Sequence, residues 1–134
     1  MELTRRWLAL AVACGVATAC GDTTVMPDPT PTALRVDLQT PHVDDGAIVI
    51  MLAGPDVSNL QSVAPGQLLY VRESAPGERQ VIVIGDLKAG ALFTFSIAPE
   101  HHRSEYTAVI RQVALRTDLL RDDLSGYRLA VTIP

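Results

Sequence analysis

The chain has little of what most binding and catalytic chemistry relies on. Aromatic residues make up 4% of its 134 positions. The single tryptophan, Trp7, lies in an apolar run near the start, which leaves Tyr70, Phe93, Phe95, Tyr106 and Tyr127 for everything after it. That is sparse material for a stacking platform. Both cysteines, Cys14 and Cys20, fall within the first twenty residues, so the rest of the chain has no thiol for a disulfide, a metal or a nucleophile. Its stability must come from packing. The longest apolar run, Trp7 to Ala19, has about 13 residues, whereas a permanent membrane-spanning helix takes roughly 20. No run of Lys or Arg offers an electrostatic footprint for nucleic acid or anionic headgroups. Neither a Gly-x-Ser-x-Gly nor a phosphate-loop pattern occurs.

What is present begins at the amino terminus. Arg5 and Arg6 precede the apolar run, and Ala17-Thr18-Ala19 lead directly into Cys20 and Gly21. Basic, apolar and small-residue regions in that order read as a cleaved export signal over residues 1–19. The run Ala17-Thr18-Ala19-Cys20 resembles the lipobox of bacterial lipoprotein precursors, with Ala17 where leucine is commoner. The resemblance implies cleavage between Ala19 and Cys20 and diacylation of the Cys20 sulfur, which becomes the new amino terminus. A second frame, Ala11-Val12-Ala13-Cys14, leaves only about seven apolar residues before it, so Cys20 is the expected lipidation site. Each buried methylene contributes about 0.8 kcal/mol, and two or three acyl chains anchor far more firmly than one. Gly21 rather than aspartate after Cys20 implies, by resemblance to enterobacterial sorting, the periplasmic face of the outer membrane. An ordinary secretory signal cut near Ala19 and an uncleaved amphipathic start are the alternatives.

Cleavage takes Arg5 and Arg6 from 11 basic residues and Glu2 from 15 acidic ones, leaving 9 and 14, a net charge of −5. Residues 20–32 are rich in Pro, Thr and Asp, with prolines at 27, 29 and 31. This composition predicts an extended tether beyond the lipidated cysteine, rising about 3.1 Å per residue. Residues 33–134 then suffice for one domain with one core.

In that domain short β-branched runs recur between turn residues, which predicts an antiparallel β-sandwich of seven to nine strands following the amino-terminal signal helix. Leu34, Val36 and Leu38 alternate with Arg35, Asp37 and Gln39, as in a strand with one buried face. Ala47 to Ala53 and Val81 to Ile84 are apolar on both faces, which predicts central strands covered on both sides. Gln67 to Glu73 leads into the turn Ala75-Pro76-Gly77-Glu78, Ala91 to Ala98 points Phe93, Phe95 and Ile97 to one side, and Tyr127 to Ile133 closes the domain. Glu105 to Arg116 mixes a helical apolar spacing with a strand-forming composition and is read as strand.

The order from Gly46 to Ile97 resembles the cohesin-type sandwich. It comprises an apolar strand, Gly54-Pro55-Asp56, a Gly77 turn, Val81-Ile82-Val83-Ile84-Gly85 and Gly90-Ala91-Leu92-Phe93-Thr94-Phe95. That superfamily comprises nine-stranded, jelly-roll-like modules related to some carbohydrate-binding domains. Thr40 to Ala47, Thr-Pro-His-Val-Asp-Asp-Gly-Ala, is similar to the start of the mature domain in small uncharacterised lipoproteins of environmental Gram-negative bacteria. That likeness implies no activity.

Several clusters could carry chemistry. His101 and His102 lie beside Glu100 and Glu105, but without cysteines or a third spaced histidine beyond His42 they are read as an exposed polar loop. Asp44-Asp45-Gly46 is read as a turn, with Gly46 at positive φ, and Asp122-Asp123 in the same way. Calcium ligation by Asp44 and Asp45 is the alternative, but the acidic alternation of an EF-hand is missing, and no metal site is assigned. The serines show no triad arrangement, and no cofactor or catalytic residue is assigned. Sugar binding would fall to Tyr70, Tyr106 and Tyr127, of which Tyr127, after Gly126, is expected to be half-exposed. The sequence thus points to a lipid-anchored envelope sandwich, a non-enzymatic interaction or accessory module with a protein partner and no nucleic acid. A carbohydrate-binding module, marked by a solvent-facing row of tyrosines, and an envelope hydrolase, marked by a cleft with two converging carboxylates, are the alternatives.

Overall fold

A computed structural model describes residues 30–134. The expected signal helix, the Ala19–Cys20 cleavage point, the Cys20 lipidation site and most of the tether lie outside the described residues. Among the described residues, eight strands form two antiparallel four-stranded sheets, as the sequence predicts for a sandwich. They are β1 (Thr32–Gln39), β2 (Asp45–Ala53), β3 (Ser58–Ser62), β4 (Leu68–Ala75), β5 (Glu78–Ile84), β6 (Gly90–Ile97), β7 (Thr107–Leu115) and β8 (Arg128–Thr132), with a single 3-10 turn at Arg103–Glu105. One sheet has the order β3-β6-β1-β8 and the other β4-β5-β2-β7. The ladder starts at Thr32, which pairs with Ile97, one residue before the domain boundary read from the sequence.

Alternation builds the core. Leu34, Val36 and Leu38 of β1 face Ile48, Ile50 and Leu52 of β2 and Val81 and Val83 of β5 across the sandwich, and Leu92, Phe93, Phe95 and Ile97 of β6 join them, all buried. A bulge between Val36 and Asp37 keeps β1 in register with β6. The aromatic part of the core is a chain of tilted rings, Phe93 to Phe95 at 6.4 Å and Phe95 to Tyr106 at 5.6 Å between centroids. The segment of mixed periodicity forms β7, whose bulge near Arg111 explains the blurred alternation. The β4–β5 hairpin turns at Pro76-Gly77, where Gly77 has φ 76°, a turn geometry that suits Pro followed by Gly.

Strand β3 has no counterpart in the sequence reading. Ser58-Asn59-Leu60-Gln61-Ser62 has no β-branched residue, and Asn59 sits at φ 49°. It becomes a strand by pairing with the edge of β6, Ser58 opposite Ser96 and Ser62 opposite Phe93, while neighbouring Val57 plugs the core.

The corner between β1 and β2 is also built differently from the turn expected there. Asp45 is 0% exposed and belongs to β2. Its Oδ2 accepts from the Tyr127 hydroxyl at 2.7 Å and the Thr40 hydroxyl at 3.3 Å, and its Oδ1 from Arg121 Nε at 2.8 Å. Arg121 also reaches exposed Asp44. The two calcium candidates are thus the anchors of one arginine, which ties β2 to the loop before β8. Tyr127, expected half-exposed, is buried by this contact and by the His42 ring 5.6 Å away. Gly46 is not at positive φ. Glycine is needed because a Cβ would lie 2.9 Å from the Arg116 backbone. The Thr40 to Ala47 run is therefore a structural corner.

Candidate functional site

Ile48, Ile50 and Leu52 point into the core, so Ala47, Val49, Met51 and Ala53 point to the other face of β2. Residues opposite one another in neighbouring strands share a face, and the register therefore lays out the exterior of β4-β5-β2-β7 row by row. The first row is Leu68, Ile84, Ala47 and Ala114, continued by an isolated bridge to Leu120. The second is Tyr70, Ile82, Val49 and Gln112, and the third Arg72, Gln80, Met51 and Val109. Leu68, Tyr70, Leu120 and Val109 are each about half-exposed and Ile84 40% exposed.

The face that was expected to be covered is open. Ala47 to Ala53 and Val81 to Ile84 do form the two central strands, but only their inner faces are buried; nothing among the described residues lies over Val49, Met51 and Ile82. Apolar residues on both faces of a central strand signal burial in a two-layer fold only if a third layer exists. Among the described residues there are two layers.

Three strand spacings of about 4.8 Å and four rises of about 3.3 Å give a patch of roughly 14 by 13 Å between backbone positions, on the order of 400 Å² once side chains are included. The largest apolar patch on a typical monomer is about that size and is often functional. Its polar fringe contains Arg72, whose guanidinium donates to Gln80 Oε1 at 2.7 Å, and the Arg116–Asp86 ion pair. Beside that pair the face continues into an open depression of about 510 Å³ lined by Ala47, Ile84, Ala114 and Leu115.

The remaining sequence candidates separate. Tyr106 and Tyr127 are buried and Tyr70 alone is exposed, so the three tyrosines form no solvent-facing row. Phe93 and Phe95 are core. His102 stays exposed, whereas His101 bridges Asp56 and Glu105, its Nε2 3.1 Å from Asp56 Oδ2 and its Nδ1 3.3 Å from Glu105 Oε1. The hydrogen bond to Asp56, reinforced by Glu105, raises the His101 imidazole above its ordinary pKa, and the His102 amide and His101 hold Glu105 below the usual carboxylate range. Asp56 could not be linked to this group from sequence, because it lies 45 residues from His101.

Comparison with family models, with curated proteins and with solved structures finds no match. No helix among the described residues is long and apolar enough to cross a membrane.

Proposed function

We propose that this chain is a lipid-anchored cell-envelope sandwich that acts as a non-enzymatic interaction module, docking an envelope protein on the exterior of β4-β5-β2-β7. The lipobox-like Ala17 to Cys20 supports anchoring at Cys20, and Gly21 after it supports the periplasmic face of the outer membrane. The observation that carries the binding role is the apolar face itself, with exposed Leu68, Tyr70 and Val109 side by side with half-buried Val49, Ile82 and Met51. A standard interface buries about 800 Å² per partner, so this patch would supply roughly half and its polar fringe the rest. The partner would therefore present an apolar centre with charges that meet Arg72, Arg116 and Asp86. A carbohydrate platform is less well supported, since one exposed tyrosine cannot stack on successive sugar rings.

Two linked experiments test the reading. Cys20→Ala should release the protein from membranes or leave an unprocessed precursor, while Cys14→Ala should do neither; the reverse pattern would move the anchor. In cells, a photo-crosslinking residue at Tyr70 should give one discrete protein adduct that Val109→Lys in the same chain abolishes. The same residue at Arg128, on the far sheet, should give none. Adducts of equal yield from both sites, adducts of twice the chain's mass, or lipid adducts alone would refute docking on this face.

A further inference from the structure

The loop joining β2 to β3 and the segment after β6 meet at one end of the sandwich, bringing together Asp56, Glu100 and His101. One ligand-type atom from each lies within 4.8 Å of the other two. We propose that these three residues bind a divalent transition cation of the zinc class.

The geometry is that of an imidazole already oriented for ligation. The His101 side chain is only 19% exposed, and Glu105 Oε1 stands 3.3 Å from its Nδ1. A carboxylate in that position accepts a hydrogen bond from Nδ1–H and so favours the tautomer that leaves Nε2 as the ligand atom, the arrangement that second-shell carboxylates impose on metal-bound histidines. Nε2 points at Asp56. Glu105 is itself fixed by the His102 amide, which donates to its Oε2.

The loop that presents Asp56 is held by the core. Buried Tyr106 donates its hydroxyl to the Pro55 carbonyl at 2.7 Å, and the Gly54 amide donates to the Gly77 carbonyl at 2.9 Å. Tetrahedral zinc, with bonds of about 2.0–2.1 Å, needs donor atoms about 3.4 Å apart, so the observed group must contract by up to about 1.4 Å. Asp56, 69% exposed, and exposed Glu100 are free to rotate by that much.

Charge favours a cation. Asp56, Glu100 and Glu105 surround one imidazole, and the nearest basic residue in sequence, Arg103, is turned away to donate to the Val131 carbonyl. Imidazole selects zinc, nickel or copper over magnesium and calcium, which prefer all-oxygen sites. Three protein ligands leave one tetrahedral position for water or for an outside group.

The test is calorimetric titration of Zn²⁺ into the full chain in detergent, with Cys14→Ser and Cys20→Ser so that no thiol competes. One equivalent should bind, with His101→Gln and Asp56→Asn each weakening binding at least tenfold, and Glu105→Gln, acting through the imidazole orientation, weakening it about tenfold. Asparagine tolerates the φ of 48° at position 56, so Asp56→Asn tests the ligand without straining the loop. His42→Gln and His102→Gln should leave affinity unchanged, and the thermal midpoint of every variant is measured without metal to separate loss of ligand from loss of fold. The cobalt-loaded chain should show the visible absorption of a tetrahedral nitrogen–oxygen site that His101→Gln removes. Absence of stoichiometric binding, binding that survives His101→Gln, or calcium binding as tightly as zinc would overturn the assignment.

Discussion

Removing the Asp45 carboxylate should be among the most damaging single changes in the sandwich. Asp45→Ala strips the partner from the Tyr127 hydroxyl, which is buried, and from Arg121 Nε, whose side chain is 15% exposed. A buried polar group left unpaired costs about 1–3 kcal/mol, more when it is charged. The two together should cost about 3–4 kcal/mol, near the lower end of what breaking a buried ion pair costs, because Arg121 keeps Asp44. The Thr40 bond, at 3.3 Å, adds little. Asp45→Asn keeps the shape but offers an amide N–H to one of two donors, so roughly half the loss should persist. Asp44→Ala, at a side chain 62% exposed, should cost less than about 1 kcal/mol. Urea unfolding followed by far-ultraviolet circular dichroism is the suitable assay, because guanidinium would screen the ion pair. With an m-value of about 1.2 kcal/mol per molar, the Asp45→Ala midpoint should fall by about 3 M. A loss under about 1 kcal/mol, or one equal to that of Asp44→Ala, would refute the view that this cluster holds the corner together.

Gly54→Ala should destabilise by more than about 3 kcal/mol, since φ is +150° and the new Cβ would lie 2.2 Å from the Tyr106 ring; thermal unfolding measures it, and a change below 1 kcal/mol would contradict the packing described. Burial first, and then the charge of nearby carboxylates at Tyr106 and the hydrogen bond to Asp45 at Tyr127, raises both phenols above their ordinary pKa. The protonated phenols stabilise the fold fully below the unfolded value near 10, and this contribution is lost as pH rises through the folded values. Absorbance titration at the phenolate band should show these two tyrosines ionising late, together with a fall in unfolding midpoint above pH 10. Val109→Lys, on the open face, should shift stability by no more than about 0.5 kcal/mol, so any loss of partner binding reads as surface rather than fold.

The sequence was most legible where a residue's role depends on its near neighbours. Alternation over Leu34 to Leu38 and the Pro76-Gly77 turn are local facts, and both stand in the structure. β3 was not legible, because pairing with β6 and not propensity makes Ser58–Ser62 a strand. Asp45 reads as a turn residue beside Asp44 and Gly46, and only Arg121 and Tyr127, 76 and 82 residues away, turn it into a buried anchor. The central strands were identified by their apolar runs, yet whether their outer faces are covered depends on how many layers the fold has.

By itself, then, the sequence determined the all-β class, most of the strands and the inward faces, because side-chain period and turn chemistry are written in adjacent residues. Tertiary structure alone decided that Val49, Met51 and Ile82 face solvent in one apolar sheet, and that Asp56 meets His101. Both follow from register and loop packing between segments distant in the chain, which no local pattern encodes.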